Sequence, residues 1–506
     1  MDNKPKETKN QLPAKEATVY KSEPPSNLTP STPSKPQVQP VVVEEPVNAI
    51  PEEYLTDEDL YPAQTSNSGS GVKKKLPLVL VIVAGLLLLI GLIIVLANLF
   101  GNKNTSPSQP VKLIFWGLWQ SPQVMNELIK DYQKQNPHVE IEYVQMDAKD
   151  NYRERVLERT RNGTGPDIFR FHNTWVPSIK ELFAASPQTI FTSEDFAKIY
   201  YPVIVKDLVL DNQVIGVPYH LDGLVLLYND SLLKNAGIAQ PPVDWEGLIR
   251  VSKQITVREE SGEIITGGVA LGTAENVSHF SDILGLMFLQ NNVNLKELES
   301  NLNAQTVIET YTNFVLGAEP VWSEFFDSSI NAFAEEKVAM ILAPTWEIEV
   351  IKHLNPDLEL KVTKVPQIRG GEQKNIANYW ADGVSKGSKN QQQAWDFLKF
   401  LSQQEQQSRI FELETKSGRM FGNIYPRMDM AELLLDHEYL GPLVKDANIL
   451  DSISLVSRTY DNGLNDEIVN YYLKDSINSI LLGTSVSEAL RNFNLGVSQV
   501  LQKYNL

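Results

Sequence analysis

The chain of 506 residues contains no cysteine. This absence excludes disulfide bridges, thiolate zinc sites, a cysteine nucleophile and a lipid-modified N-terminal cysteine. Histidine is also scarce: the six histidines are scattered without the spacing of a helical metal-binding pair, so neither a metal site nor a cofactor is predicted. Positive charge is in deficit, with 45 Lys and Arg against 63 Asp and Glu, which gives a net charge of -18. An acidic chain of this kind argues against a nucleic-acid partner.

Charge is absent altogether from residues 76–100, "LPLVLVIVAGLLLLIGLIIVLANLF". As a helix this segment measures about 37 Å, enough to cross a hydrocarbon core of about 30 Å. A buried core helix rarely stays apolar on all sides for this length, and a cleaved signal peptide would be shorter and closer to the N-terminus. Lys73, Lys74 and Lys75 precede the segment, so the positive-inside rule places the N-terminus in the cytoplasm and the rest outside. We therefore predict a single-pass protein of the cell membrane.

The segments around this helix differ sharply in composition. Eleven of the 29 prolines lie before it, and residues 1–75 are predicted to form a disordered cytoplasmic tail. Residues 101–110, "GNKNTSPSQP", are predicted to be a polar extracellular linker. Residues 111–506 carry the patterns of a folded domain.

The folded region opens with a strand–helix–strand pattern. "VKLIF" at 111–115 reads as a buried strand, and Met125, Leu128, Ile129 and Tyr132 share one helix face. Apolar and acidic residues then alternate over 139–143, as in a strand with one buried face. This pattern predicts an α/β fold with parallel strands, in which ligands lie beyond the carboxyl ends of the strands.

Later segments continue the same pattern. "DIFRF", "QVIGVPYH", "GLVLLYN" and "KVAMILAP" are predicted strands, and "DWEGLIRVSKQI" is a predicted helix. "NQQQAWDFLKFLSQQEQQSRI" is predicted to be one long helix. Two further helices are predicted at the C-terminal end, "DEIVNYYLKDSINSILLG" and "SVSEALRNFNLGVSQVLQKY"; in the second, Ser485 and Glu488 have the spacing of a capping box.

Several stretches resemble one family, in its own order: "KLIFWGLWQSPQVMNELIKDYQKQNPHVEIEY", "NGTGPDIFRF", "DNQVIGVPYHLDGLVLLYNDSLLKNAGIAQPPVDWEGL", "AFAEEKVAMILAPTWEI" and "SKGSKNQQQAWDFLKFLSQQE". Through them, nearly all of 111–506 resembles the extracellular solute-binding proteins of family 1, the maltose/oligosaccharide-type receptors of ABC importers. The resemblance implies a type II periplasmic-binding-protein-like fold, in which hinge strands join two α/β lobes around a cleft. Lobe 1 is expected at about 111–222 and 380–440, and lobe 2 at about 223–379 and 441–506. The chain departs from the family at Glu335–Glu336, where a glycine is usual, and in having a membrane helix as its anchor.

A sugar-binding cleft needs flat aromatic faces with amides and carboxylates between them. Trp116, Trp119 and Gln120 qualify because they end the first strand, although core packing is the alternative for each indole. The resemblance implies further ligand-binding candidates, each with a core or loop role as its alternative: His172, Asn173, Trp175, Tyr219, Asp222, His279, Trp346, Tyr379, Trp380, Asp382, Arg419 and Tyr460.

These observations together predict a membrane-anchored extracellular protein that captures a carbohydrate and delivers it to the permease subunits of an ABC importer. The alternative is a membrane-tethered receptor or scaffold with the same fold that feeds no transporter. An enzyme is not predicted, because no nucleophile elbow, P-loop, HExxH or GxGxxG motif occurs in the outer region. A glycosidase carboxylate pair is not excluded by sequence alone, since acidic residues are abundant. The protein is expected to be a monomer.

Overall fold

The computed structural model describes residues 110–149 and 151–506. The predicted tail at 1–75, the predicted membrane helix at 76–100 and all but the last residue of the predicted linker lie outside the described residues. Within the described part of the chain, no helix is both long and apolar enough to span a bilayer.

The strands of the described region are short. In chain order they are β1 Val111–Gly117, β2 Val139–Gln145, β3 Ile168–His172, β4 Val209–Leu210, β5 Gln213–Val214, β6 Val217–Pro218, β7 Leu224–Asn229, β8 Val257–Arg258, β9 Ile264–Thr266, β10 Met340–Pro344, β11 Leu360–Thr363, β12 Asn375–Ile376, β13 Trp380–Val384 and β14 Leu450–Asp451.

Helices connect and flank these strands. The α-helices are Pro122–Gln135, Tyr152–Arg161, Val176–Ile179, Ser193–Ile199, Pro202–Leu208, Asp230–Asn235, Trp245–Ile255, Phe280–Gln290, Leu302–Leu316, Ser329–Ala334, Glu347–Leu354, Gln391–Leu401, Gln404–Lys416, Gly441–Asp446, Leu464–Glu467, Lys474–Leu481 and Val486–Lys503. Residues Ile468–Leu473 form a π-helical stretch between two of them.

The first sheet has five strands in the order β2-β1-β3-β13-β6. β1 is parallel to β2 and β3, whereas β13 is antiparallel to β3 and β6. The helix Pro122–Gln135 buries the predicted face of Met125, Leu128, Ile129 and Tyr132, and the acidic positions of β2 face solvent. These facts confirm the predicted parallel strand–helix–strand unit.

The second sheet has three strands in the order β10-β7-β11, and both neighbours of β7 are antiparallel to it. The helices Ser329–Ala334 and Glu347–Leu354 pack against β10. Two stretches lead between the sheets: residues 219–223 join β6 to β7, and residues 377–379 lead from β12 to β13. They run side by side through the pair Gly223 and Ala377. A side chain at Gly223 would collide with the carbonyl of Ile376, so only glycine allows this close approach.

The prediction of one long helix from Asn390 to Ile410 is wrong. The structure has two helices, Gln391–Leu401 and Gln404–Lys416, because Gln403 takes extended backbone angles. The carbonyl that the break releases at Ser402 accepts a hydrogen bond from Arg427 at 2.8 Å. By contrast, Ser485 caps the C-terminal helix as predicted, since its Oγ accepts from the N–H of Glu488.

Candidate functional site at the edge of the first sheet

Trp119 lies in a strained turn just beyond the carboxyl end of β1. Its φ angle is 67°, and the N–H of Gln120 donates to the carbonyl of Leu118 at 2.7 Å. A three-residue turn with positive φ at its centre is rare and strained. Two side chains hold it in place: Arg170 donates to the Leu118 carbonyl and Tyr143 donates to the Gln120 carbonyl, both at 2.9 Å. The turn leaves the Trp119 side chain 48% exposed.

Trp119 belongs to a group of three aromatic rings, which we call the aromatic platform: Trp119, Trp380 and Tyr460. The Trp119 ring lies 5.8 Å from Trp380 and 5.5 Å from Tyr460, measured between ring centroids. Trp380 rests edge-on against two buried rings, Trp175 at 5.4 Å and His172 at 5.0 Å. The platform therefore has a rigid base, and Trp119 is its most exposed member.

A buried ion pair lies below the platform. Arg170 donates two hydrogen bonds to the carboxylate of Asp382, at 2.8 and 2.9 Å, and both side chains are almost completely buried. The guanidinium also lies 3.7 Å from the ring centroid of Tyr219. Since Arg170 also holds the Leu118 carbonyl, the ion pair links β3 and β13 to the turn that carries Trp119.

A second aromatic side chain that is partly open to solvent lies after β10 of the second sheet. Trp346 is partly buried, and the guanidinium of Arg458 lies 4.7 Å from its ring centroid. The same guanidinium is 3.3 Å from the buried carboxylate of Glu347, which also lies 2.8 Å from His279 Nε2. Burial lowers the pKa of His279, but the carboxylates of Asp282 and Glu347 outweigh it, so its pKa lies above the usual value.

One segment touches both aromatic positions. We call this segment, residues 457–462, the strap. Ser457 and Arg458 contact groups on the Trp346 side, whereas Thr459 and Tyr460 contact groups on the platform side. The backbone N–H of Ser457 donates to Asp282 on the Trp346 side, and the carbonyl of Thr459 accepts from Trp175 Nε1 on the platform side. Three strap residues have left-handed φ angles although none is glycine: Arg458 at 58°, Tyr460 at 53° and Asn462 at 52°.

Several predicted ligand-binding residues are buried among protein partners on the platform side. Asn173 and Tyr379 both donate to the carboxylate of Asp207, and His172 lies 2.9 Å from Asn378 Oδ1. Trp116 is 7% exposed and has two arginine side chains of the helix Tyr152–Arg161 over its ring. As solute contacts, these residues stay predictions.

Other predicted residues connect the two sheets or lie between them. Asp222 accepts hydrogen bonds from the backbone and side chain of Thr345, and burial raises its pKa to about 6. Arg419 lies 3.2 Å from Glu349, which is on the helix after β10, and 3.4 Å from Glu414. Glu414 also accepts from the predicted residues Gln120 and Tyr219. In these contacts the side chains hold the structure together, and a solute role for them also stays a prediction.

Two residues of this region were not singled out by the sequence. Arg458 lies two residues before the predicted Tyr460, but nothing in the sequence around it shows that its guanidinium reaches Trp346. His220 lay between Tyr219 and Asp222; its Nδ1 is buried and has no hydrogen-bond partner within the residues described. Burial and the charge of Arg170 lower the pKa of His220 to about 3, so its imidazole is neutral. The imidazole lies edge-on against Tyr219, with ring centroids 5.2 Å apart, and no local pattern in "PYHLDG" signals this contact.

The geometry contains no arrangement of three or more histidines and carboxylates that could hold a metal ion, as far as the described residues extend. The arrangement consists of aromatic faces, buried ion pairs and hydrogen-bonding groups beside them. Chemically it can hold a molecule by stacking and hydrogen bonding.

Known proteins with this arrangement of elements bind solutes. The multiple sugar-binding protein of Streptococcus mutans is 21% identical over 346 residues, which cover 65% of this chain and 80% of that protein. The sugar-binding protein MalE of Xanthomonas citri superposes with a TM-score of 0.63 at 19% identity, covering 78% of this chain and 98% of that one. A cyclo/maltodextrin-binding protein complexed with maltotetraose also gives 0.63, at 16% identity and 79% and 99% coverage. These likenesses confirm the predicted fold class: the described region has the two-lobe, type II periplasmic-binding-protein-like α/β fold.

The family assignment rests on a match to a family model. The family described as bacterial extracellular solute-binding protein matches residues 127–418, which is more than half of the chain. That stretch includes β13, which carries Trp380, and β10, which precedes Trp346, while Trp119 and Tyr460 lie outside it. The chain therefore belongs to the bacterial extracellular solute-binding protein family, as the sequence resemblance indicated.

Proposed function

We propose that this protein captures a carbohydrate, a sugar or an oligosaccharide, in the cleft between its two lobes. The observation that carries the proposal is Trp119: a half-exposed indole held in a strained turn and backed by Trp380 and Tyr460. The C–H faces of a pyranose ring stack on such aromatic surfaces, while nearby polar groups bond its hydroxyls.

The relatives support a carbohydrate over other solutes. The Streptococcus mutans relative is named for binding multiple sugars, and the solved neighbours include complexes with maltotetraose and mannotriose. At these low sequence identities, a ligand named for a relative describes that relative alone. They make carbohydrate the first class to test here.

Lobe boundaries are part of the proposal. We place lobe 1 at about 111–222 and 380–440, around the five-stranded sheet, and lobe 2 at about 223–379 and 441–506, around the three-stranded sheet. The solute would contact Trp119 and Trp380 of lobe 1 and Trp346 and Tyr460 of lobe 2. By binding the closed arrangement better than the open one, it would shift the population towards closure.

Delivery and anchoring complete the proposed function. The segment 76–100 would hold the binding domain at the outer face of the cell membrane, and the closed form would be recognised by the permease of an ABC importer. The alternative is a tethered receptor or scaffold without transport, which the long N-terminal tail favours. Deleting the whole gene should abolish carbohydrate uptake, whereas deleting only residues 1–72 should not; uptake that never depends on the protein would favour the alternative.

Ligand-dependent thermal unfolding tests carbohydrate binding directly. The full chain, purified in detergent, is heated with single mono- and oligosaccharides while tryptophan fluorescence is recorded. A ligand at 100 times its Kd adds about 2.7 kcal/mol to the free energy of unfolding, which raises the Tm by several degrees. Absence of a rise with every carbohydrate would contradict the proposal.

A further inference from the structure

Arg458 has hydrogen-bonding capacity that the protein leaves unused. Its side chain is 45% exposed, and its one ion-pair partner in the described part of the chain is Glu347, 3.3 Å from Nη1. A guanidinium carries five N–H donors in a planar fork. The edge formed by Nε and Nη2 is therefore available to a molecule in the cleft.

The guanidinium is held in position from two directions. One face lies 4.7 Å from the Trp346 centroid, and Nη1 pairs with Glu347. Glu347 is itself buried and lies against His279, so its position does not depend on the arginine side chain. An exposed arginine that is already fixed loses less conformational freedom when it binds a ligand.

The backbone that presents Arg458 is strained. Arg458 and Tyr460 both have left-handed φ angles, which cost free energy in residues other than glycine. Two residues apart, their Cα atoms are separated by at most about 7 Å. The strained strap thus presents a guanidinium beside Trp346 and a phenol ring beside Trp119 from two positions that are close in the backbone.

The charges around the strap indicate the kind of solute. Burial raises the pKa of the Tyr460 phenol. The carboxylates of Asp466, Asp147 and Glu347 raise this pKa further, whereas the positive charge of Arg458 lowers it. The local balance is negative, which opposes an anionic solute. Two adjacent hydroxyl oxygens fit the free edge of the guanidinium without adding charge.

From these contacts we propose that Arg458 is a solute-binding residue that selects neutral carbohydrates, its Nε and Nη2 donating to two adjacent hydroxyl groups of a sugar on the aromatic platform. This inference rests on the proposed function of the same site. It assigns to Arg458 a role that no motif in the sequence indicated.

Calorimetric titration of the full chain tests it. The neutral probes are maltotetraose, mannotriose and galactotriose, and the acidic probe is trigalacturonate. Arg458→Lys keeps the charge but loses the planar fork, and Arg458→Gly also relieves the backbone strain. Both variants should bind the neutral probe about 10- to 100-fold more weakly than the parent, as expected for losing charge-assisted hydrogen bonds. Arg161→Lys is the matched control: Arg161 is exposed, pairs with Glu181 and should leave affinity unchanged.

A structural role predicts a different pattern. If Arg458 only fixed the strap, Arg458→Gly would lower the Tm; we expect an unchanged or higher Tm together with weaker binding, because glycine adopts left-handed angles without strain. Parent-like affinity in both variants would overturn the inference while leaving the proposed function intact. Tighter binding of trigalacturonate than of the neutral probes would overturn the selection for neutral solutes. If the unaltered protein bound none of the probes, the proposed function would fall, and the inference with it.

Discussion

At the scale of single residues, Trp119 combines two unfavourable features. Half of a large indole is exposed to water, and its backbone lies in the left-handed region. Neither feature improves folding, since an exposed ring gains little burial and positive φ is costly for a residue with a side chain. Local strain of this kind persists where function depends on it. Trp119 is therefore the residue whose removal should separate binding from stability.

We expect Trp119→Ala to weaken carbohydrate binding by about 1–3 kcal/mol, through loss of stacking and apolar contact, with a stability change below about 1 kcal/mol. Titration with the carbohydrate found in the thermal screen measures the loss of binding, and urea unfolding measures the change in stability. Phe325→Ala is the control, since Phe325 is 89% exposed and lies near β9, away from the aromatic platform. Equal carbohydrate affinity in Trp119→Ala and the parent would contradict the proposed role of the aromatic platform in binding.

At the same scale, His172 makes the stability of the folded protein depend on pH. Burial lowers its pKa to about 4, against about 6.5 for an exposed histidine. Below pH 6.5 the unfolded chain takes up a proton that the folded protein excludes, so stability falls as pH drops from about 6.5 to about 4.

Replacing His172 with glutamine removes this titration. The free energy of unfolding of His172→Gln should fall less steeply over that range, by up to about 1.4 kcal/mol per pH unit. Urea unfolding at pH 7, 6, 5 and 4.5 measures the slope for both proteins. His220→Gln should flatten the curve in the same direction, because burial also lowers the pKa of His220. Parallel curves for parent and His172→Gln would show that folding does not lower the pKa of His172.

At the scale of elements, the buried pair of Arg170 and Asp382 joins the central strands β3 and β13 of the first sheet. The sequence marked Asp382 as a ligand-binding candidate, whereas the structure gives both of its oxygens to Arg170. A buried charge that loses its partner is strongly destabilising, because the remaining charge stays desolvated.

Asp382→Asn should therefore lower the free energy of unfolding by about 3–5 kcal/mol, measured by urea unfolding. The matched control is Glu142→Gln, which breaks the pair of Lys112 and Glu142; both side chains there are about half exposed, so the change should stay below about 1 kcal/mol. Equal effects in the two variants would mean that Arg170 finds other partners.

Some elements could be predicted from the sequence and others could not. Sequence pattern identified these three elements: β1 is a largely apolar run, whereas β2 and the helix between them each have one buried and one solvated face. The break at Gln403 was not foreseeable from local pattern, since the carbonyl it frees is satisfied by Arg427, some 25 residues on. The strap has no periodicity, and the meeting of Arg458 with Trp346 depends on tertiary structure alone. Aromatic candidates were therefore recognisable from sequence, but their partners and exposure were not.

At the scale of the whole binding domain, the contact between Arg419 and Glu349 crosses between the two sheets. Arg419 follows the helix Gln404–Lys416, which packs against Pro122–Gln135 of the first sheet. Glu349 lies on the helix Glu347–Leu354, which packs against β10 of the second. Both side chains are about 30% exposed, so the pair contributes at most about 1 kcal/mol. A contribution of that size is small for folding but sufficient to bias a balanced equilibrium between open and closed lobes.

We expect Glu349→Gln to favour the open arrangement and to weaken carbohydrate binding by up to about 5-fold. The cysteine-free chain allows a direct measurement, because spin labels on Lys134→Cys and Val243→Cys report one distance between the lobes. Pulsed electron double resonance on the sugar-free protein should show a larger share of the longer distance in Glu349→Gln than in the labelled parent. Glu412→Gln is the control, since its partner Lys416 lies on the same helix. Identical distance distributions and affinities in Glu349→Gln and the parent would show that the pair does not influence closure.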